Sequence, residues 1–131
     1  MADKEKILII DDHREFREMV GILIHRYFNN IDIKEASTGE AGVDVAIKER
    51  PNVSLVDIRL PKIDGLEAAR RIKKAVPECR IITMSMFNSN SNKFVIPEVE
   101  AFIGKDEIDS GLIPLLHRFL DGKAIEKGKR P

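Results

Sequence analysis

The stretch Ile7-Leu8-Ile9-Ile10-Asp11-Asp12 decides the fold class, because four consecutive apolar residues end abruptly at two acids. A short unbroken apolar run predicts a strand that is buried on both faces, as the inner strands of a parallel sheet are. The pattern returns in Val53-Ser54-Leu55-Val56 before Asp57 and in Arg80-Ile81-Ile82-Thr83-Met84 before Ser85. Three mostly apolar strands are thus each followed by a polar residue.

Apolar residues at helical spacing separate these strands and predict amphipathic helices. The first helix extends through Tyr27 and is capped by Asp12 or a neighbour. The second opens at Ser37-Thr38-Gly39-Glu40, which has the spacing of a capping box, and ends at Glu49. The third spans residues 66–76. Strands that alternate with helices in this way place helices on both faces of the sheet.

Two further strands and a last helix complete the pattern. Ile31 and Ile33 alternate with Asp32 and Lys34, which predicts a second, more exposed strand. Residues 99–103 predict a fifth strand. The last helix is predicted to run to about Gly122, with a cap at Ser110 that places Pro114 in its first turn. A proline is tolerated there because its missing N–H would have no partner in any case.

Residues 86–98 break this alternation. Five of the seven residues from Asn88 to Phe94 are Asn or Ser, which favour turns over helix interiors, and Pro97 follows. We expect no regular helix of three or more turns in this segment. The predicted fold is therefore α/β, a five-stranded doubly wound parallel sheet with a weakened or missing fourth helix. Residues 1–123 form one domain, and residues 124–131 form a basic tail or the start of a linker.

Composition narrows the class of protein. The 131 residues are enough for one domain, and 22 basic residues balance 22 acidic ones, so a nucleic-acid binder driven by net positive charge is disfavoured. A single cysteine, Cys79, excludes an intramolecular disulfide and a zinc site built from several cysteines. No apolar run approaches the roughly 18 residues of a membrane span. We expect a cytoplasmic protein without nucleic-acid or membrane contacts of its own.

Polar residues follow four of the predicted strands at the point where each strand ends. Asp11 and Asp12 follow the first strand, Asp57 the third, Ser85 the fourth and Lys105 the fifth. Because the carboxyl ends of parallel strands share one edge of the sheet, we expect these side chains to converge. Three carboxylates in one place repel each other and require a cation, and Mg2+ suits a site with few oxygen ligands. A lysine and a hydroxyl beside the cation would receive a transferred phosphoryl group, with an aspartate as its nucleophile.

Four stretches of the chain, residues 7–12, 55–67, 81–85 and 101–106, carry a resemblance to a known family. The second contains an Asp-x-x-x-Pro-x-x-Asp-Gly loop, which makes the ordered set specific. The chain resembles the receiver domain of a two-component response regulator from about residue 6 to residue 122. The Lys105-Asp106 pair and the last helix are most similar to the subfamily usually joined to a helix-turn-helix output domain, and no such domain follows within these 131 residues.

The resemblance implies a flavodoxin-like receiver fold and a role for each site residue. Asp57 would accept a phosphoryl group from a phosphohistidine on a sensor histidine kinase or phosphotransfer protein. Asp12 would ligate Mg2+ directly and Asp11 through water, with Asp57 and the backbone carbonyl of Arg59 as further ligands. The switch residues would be Ser85, which hydrogen-bonds the phosphoryl group, and Phe102, which changes rotamer on activation, while Lys105 would pair with Asp57 or its phosphate.

On this resemblance the chain is a signalling domain that catalyses only its own phosphorylation and dephosphorylation, without a metabolic substrate. Met86, where the family usually has a small residue, and the unusual segment after it favour an alternative, a phosphate-independent pseudo-receiver that acts through protein–protein contact. The apolar residues 94–96 also raise the possibility of a homodimer through the 86–122 face. A nucleotide- or flavin-binding enzyme is disfavoured, because no Gly-x-Gly-x-x-Gly follows the first strand.

Each candidate residue also has a purely structural interpretation. Asp11 and Asp12 could be helix-capping acids, Asp57 could simply end its strand, Ser85 could be a turn residue and Phe102 a core residue. The three histidines are interpreted as structural: His13 as an exposed residue at the start of a helix rather than a zinc ligand, and His25 and His117 as members of amphipathic helices.

Overall fold

The computed structural model describes residues 4–86 and 96–120. Strands and helices alternate along this part of the chain. They are β1 (Glu5–Ile10), α1 (Arg14–Tyr27), β2 (Ile31–Ala36), α2 (Gly39–Glu49), β3 (Val53–Asp57), α3 (Gly65–Ala75), β4 (Arg80–Ser85), β5 (Ala101–Gly104) and α4 (Ile108–Phe119), with a 3-10 turn at Lys105–Glu107 before α4.

The five strands form one parallel sheet in the order β2-β1-β3-β4-β5, which confirms the predicted fold class. β1 and β3 lie inside the sheet, and the apolar residues of both strands are fully buried, as in the inner strands of other parallel sheets. β2 lies at an edge and is more exposed along most of its length. The strand order places the ends of β1, β3 and β4 side by side.

Two hydrophobic cores hold the layers together, one on each face of the sheet. α1 and α4 cover one face, where Val20 and Leu23 pack with Leu112 and Leu116 against the inward side chains of β1 and β3. α2 and α3 cover the other face, where Ala46, Ala69 and Ile72 pack against the opposite side of the same strands. The helices therefore pack on both faces of the central strands and fix the positions of the carboxyl ends of these strands.

The helix α2 begins one residue later than its capping-box spacing predicts. Thr38, not Ser37, is the N-cap, and its side chain accepts a hydrogen bond of 3.0 Å from the Ala41 N–H. Gly42, which the sequence alone marks only as a costly residue inside this helix, has a packing role. A Cβ at Gly42 would overlap the Ile10 side chain, so the glycine allows α2 to approach β1 closely.

The predicted start of the last helix is wrong. The 3-10 turn follows β5 directly, so α4 begins at Ile108 rather than after a cap at Ser110, and its N-cap Glu107 makes no side-chain capping bond. Pro114 consequently lies inside the helix and not in its first turn. Its missing N–H removes one backbone hydrogen bond, and its ring crowds the preceding turn.

Replacing Pro114 with alanine is therefore expected to stabilise the fold. Pro114 is exposed, so the change removes no core packing and restores a backbone donor, and the free energy of unfolding should rise by about 1 to 3 kcal/mol. Urea unfolding would measure it, with Lys48→Ala, an exposed change inside α2, as the control that alters helix propensity alone. A loss of stability in Pro114→Ala would show that the proline fits α4 without strain.

Two other boundaries bear on the predictions. β5 begins at Ala101 rather than at Val99, because the Val99 N–H bonds to the Ile96 carbonyl in a turn before the strand. The expected lack of a helix over residues 86–98 concerns chiefly residues 87–95, which lie outside the described residues, as do the tail at 124–131 and the domain end at 123.

Among the described helices, none is long and apolar enough to cross a membrane.

Cys79 is fully buried, with its Sγ 3.2 Å from the Ser54 Oγ, and burial raises the pKa of its thiol to about 11. The thiol ionises near pH 9 in the unfolded chain, so only the unfolded state loses its proton between pH 9 and pH 11. Cys79 thus stabilises the fold below pH 9, and this contribution falls by about 2 kcal/mol as the pH rises to 11. Comparing the unfolding free energy of the chain with that of Cys79→Ala across this range isolates the effect, and a constant difference would contradict it.

Candidate functional site

The carboxyl edge of the sheet brings the predicted polar residues to one place. Asp11 follows β1, Asp57 is the last residue of β3, Ser85 ends β4, and Lys105 follows β5. Asp11, Asp57 and Ser85 are buried, and the Asp12 side chain is 36% exposed at the outer margin of the group. The convergence follows from the parallel sheet, because each strand delivers its last side chain to the same edge.

Lys105 binds the two buried acids of the site together. Its Nζ lies 2.5 Å from Asp11 Oδ2 and 3.1 Å from Asp57 Oδ2, and its side chain is only 6% exposed. The ammonium also lies over the ring of Phe16, 4.4 Å from the ring centroid, in a cation–π contact from α1. One buried cation therefore neutralises part of the negative charge of two buried carboxylates.

Burial and charge shift the ionisation of both partners. Burial is the largest influence on Asp57 and raises its pKa above the usual value, although the Arg59 N–H and Lys105 favour its charged form. For Lys105, burial opposes the charge, but the close carboxylates of Asp11 and Asp57 outweigh it and raise the pKa of the ammonium. Lys105 thus stays charged at neutral pH, and it lies beside an aspartate whose ionised form is disfavoured by burial.

The loop after β3 holds Asp57 from the other side. The Arg59 N–H donates a hydrogen bond of 3.0 Å to Asp57 Oδ1, and the Gly65 N–H donates one of 2.9 Å to the Ile58 carbonyl, which folds the loop back on the strand. A Cβ at Gly65 would overlap the Asp57 carbonyl oxygen, so only glycine permits this approach. The side chains of Arg59 and Met86 are exposed near the site, Met86 by 64%.

The start of α1 supplies contacts that sequence reasoning missed. The N-cap is His13, the neighbour of Asp12, and its backbone N–H donates a hydrogen bond of 2.8 Å to Asp11 Oδ1. Arg17 donates from Nη1 to the Asp11 carbonyl at 2.6 Å and from Nε to Glu35 at 2.8 Å. No spacing in the sequence distinguishes Arg17 from a surface arginine, since its role depends on how α1 lies beside the end of β1.

The acids fit a divalent cation of the kind that prefers oxygen ligands. Carboxylate oxygens of Asp11, Asp12 and Asp57 and a ring nitrogen of His13 all lie within 4.8 Å of one another. Asp11 Oδ2 is buried and accepts no hydrogen bond of good geometry from the described residues, although Lys105 lies 2.5 Å away. A buried carboxylate oxygen beside two further acids is the donor set that Mg2+ takes.

Comparison with known proteins identifies the family. A profile of the response regulator receiver domain matches residues 7–113, most of the chain. The chain belongs to the response regulator receiver domain family. Receiver domains are signalling domains of two-component systems, and the sequence resemblance that led to this family is confirmed.

Two curated relatives are regulatory proteins of bacteria. The transcriptional regulatory protein DegU of Brevibacillus brevis is 33% identical over 89 residues, which cover 68% of this chain and 38% of DegU. The nitrate/nitrite response regulator protein NarL of Escherichia coli strain K12 is 29% identical over 123 residues, covering 91% of this chain and 56% of NarL. The chain thus spans about half the length, or less, of these two relatives.

Solved structures give the same fold. The response regulator protein TrrA of Thermotoga maritima, solved in complex with Mg2+ and a beryllium fluoride, matches with a TM-score of 0.79 and 22% identity over 88% of this chain and 99% of TrrA. At this identity the match establishes the receiver fold and leaves each residue's role to be argued from the site. The pseudo-receiver alternative gains no support from these comparisons.

Proposed function

We propose that the chain is a phosphoacceptor domain that takes a phosphoryl group onto Asp57 with Mg2+ and relays the signal through a change of conformation. The observation that carries the proposal is the setting of Asp57, buried at the sheet edge between the Lys105 ammonium and the Arg59 N–H. The donor would be a phosphohistidine of a sensor histidine kinase or a phosphotransfer protein. The resemblance and the donor set of the acids support the same assignment.

In the proposed transfer, an Asp57 carboxylate oxygen attacks the phosphorus of the phosphohistidine. The new O–P bond forms as the P–N bond breaks, and the imidazole of the donor leaves with the bonding electrons. Lys105 already contacts Asp57, so its charge can offset the negative charge that the phosphoryl oxygens bring. Ser85, buried at the end of the neighbouring strand, would donate its hydroxyl to a phosphoryl oxygen.

The metal ligands in this proposal are Asp11, Asp12, Asp57 and the backbone carbonyl of Arg59. When bound, Mg2+ would neutralise part of the negative charge of the acids and of the phosphoryl oxygens. Arg17 holds the Asp11 carbonyl, and the His13 N–H holds the Asp11 carboxylate, so α1 fixes the backbone and side chain of one ligand residue. This preorganisation lowers the cost of gathering several acids around the ion.

Signal output would start from Ser85 and Phe102. Ser85 would move toward the phosphoryl group, and Phe102, a half-buried residue of β5, would follow by changing its rotamer. A homodimer through the 86–122 face stays a prediction, because residues 87–95 and 121–122 of that face lie outside the described part of the chain. With equal numbers of basic and acidic residues, we propose that the output acts through protein contacts and not through nucleic acid bound by this chain.

Phosphorylation by acetyl phosphate tests the proposal directly. The intact chain should gain the mass of one phosphoryl group in Mg2+ and none in EDTA, and Asp12→Ala should prevent the gain because it removes a metal ligand. Asp44→Ala, an exposed acid inside α2, is the control and should be labelled as the unchanged chain is. Equal labelling with and without the metal would overturn the proposed role of Mg2+, and no labelling in any condition would favour a pseudo-receiver.

A further inference from the structure

We infer that His13 adds an imidazole ligand to the acid cluster, so that the site binds divalent transition-metal ions such as Co2+ or Ni2+ more tightly than three carboxylates alone would. The inference deepens the proposed metal site and therefore rests on it. Sequence reasoning treats His13 as an exposed residue at the start of a helix. In the structure, the position of its ring next to the acids is that of a further metal ligand.

The His13 ring lies against both carboxylates that precede it. Its Nδ1 is 3.1 Å from Asp12 Oδ1 and 3.3 Å from Asp11 Oδ1. Two ligand atoms that share one metal ion, each about 2.0 to 2.2 Å from it, lie roughly 3 to 3.5 Å apart. The contact of Nδ1 with Asp11 is a hydrogen bond in the metal-free chain, and its length is also that between two ligands of a common ion. One ligand atom from each of Asp11, Asp12, His13 and Asp57 lies within 4.8 Å of the others.

The backbone explains why the ring points back toward the acids. His13 is the extended N-cap of α1, with φ −100° and ψ 106°, and its N–H is bound to Asp11 Oδ1. This bond holds His13 next to the Asp11 carboxylate, while 71% of the His13 side chain stays exposed to solvent. A metal ion from solution can therefore reach the nitrogen without opening the core.

The chemistry of the added donor sets the class of ion. Mg2+ prefers carboxylate, carbonyl and water oxygens and gains little from an imidazole, whereas Co2+, Ni2+ and Zn2+ bind imidazole nitrogen well. The preference for transition-metal ions over Mg2+ should therefore be greater for three acids with an imidazole than for the three acids alone. Mg2+ binding should depend on the acids and be nearly indifferent to His13.

Metal titration of the unphosphorylated chain separates these contributions. We expect His13→Ala to weaken Co2+ binding by about tenfold or more and to leave Mg2+ binding within about twofold, both measured by calorimetry. His13→Asn, which keeps a good N-cap residue, should behave in the same way and guards against a loss of helix structure. His25→Ala, an exposed histidine elsewhere on α1, is the matched control and should change neither affinity.

A spectroscopic measurement identifies the ligand itself. In the Co2+ form, the ring protons of one histidine should show strong paramagnetic shifts in the proton NMR spectrum, and these signals should vanish in both His13 variants and persist in His25→Ala. Unchanged Co2+ affinity in both His13 variants, or paramagnetic shifts that persist in them, would overturn the inference while leaving the Mg2+ site intact. If the unchanged chain binds neither Mg2+ nor Co2+, the proposed metal site fails together with this inference.

Discussion

Replacing Asp57 with asparagine is expected to abolish phosphorylation of the chain and to stabilise its fold. Asparagine keeps the shape of the side chain but offers an amide in place of the carboxylate nucleophile, so no acyl phosphate can form. Among the acids of the site, Asp57 combines burial with direct contact to Lys105 and to the loop N–H of Arg59. We therefore expect it to be the sole phosphoacceptor.

The stability effect follows from the raised pKa of Asp57. Burial makes the folded state hold the proton of Asp57 more tightly than the unfolded state does. The stability that the neutral carboxyl provides is complete below the unfolded pKa of 3.8 and is lost as the pH rises through the folded pKa. At neutral pH the ionised Asp57 thus lowers the free energy of unfolding, and Asp57→Asn should restore it, with little difference from the unchanged chain in acid.

Mass spectrometry after incubation with acetyl phosphate and Mg2+ measures the first effect, and urea unfolding at pH 7 and in acid measures the second. Asp32→Asn, a change in an edge strand far from the carboxyl end, is the control and should preserve labelling. A residual phosphoryl mass in Asp57→Asn would mean that another side chain accepts the group. A variant that is less stable at pH 7 would show that the contact of Asp57 with Lys105 outweighs its burial.

The parts of the fold that the sequence predicts best are those set by buried apolar runs. The inner strands β1, β3 and β4 are recognisable because each is mostly apolar and has a polar residue at its end or directly after it. Their parallel arrangement then places Asp11, Asp57, Ser85 and Lys105 at one edge without any knowledge of side-chain positions. The grouping of these site residues thus follows from the sheet topology, and the alternation of apolar strands and amphipathic helices in the sequence predicts that topology.

Helix starts are less predictable, because several neighbouring residues can cap a helix and tertiary contacts choose among them. The sequence leaves the cap of α1 open between Asp12 and a neighbour, and the cap is His13, whose N–H donates to the Asp11 carboxylate. The sequence predicts a cap at Ser110 for α4, but the 3-10 turn that follows β5 leads directly into the helix, which begins at Ile108. In both cases a contact outside the helix decides its first residue.

Side chains that reach the site from α1 are the least predictable part. Phe16 fits the apolar stripe of an amphipathic helix, yet its ring also lies against the Lys105 ammonium. Arg17 occupies a position where charged residues are ordinary, yet it binds the Asp11 carbonyl. Helical spacing shows which face a residue occupies but not which neighbouring strand end its side chain contacts.

Replacing Lys105 with methionine is expected to destabilise the chain by about 3 to 5 kcal/mol at pH 7 without metal. Methionine fills similar space but removes the ammonium that lies between the buried carboxylates of Asp11 and Asp57, leaving two like charges without compensation. Adding Mg2+ should recover part of the loss, because a bound cation would supply the missing charge. Lowering the pH should also reduce the loss, because Asp57, whose pKa burial raises, then becomes neutral.

Urea unfolding in EDTA and in Mg2+, at pH 7 and in acid, measures these effects, and two variants sharpen the result. Lys34→Met removes a lysine that is 35% exposed and paired with Asp32, so it should cost less than about 1 kcal/mol and respond little to Mg2+. Adding Asp57→Asn to Lys105→Met removes one of the two uncompensated charges and should return most of the stability. An equal loss in Lys34→Met, or no recovery in the double variant, would show that Lys105 acts through packing rather than through its charge.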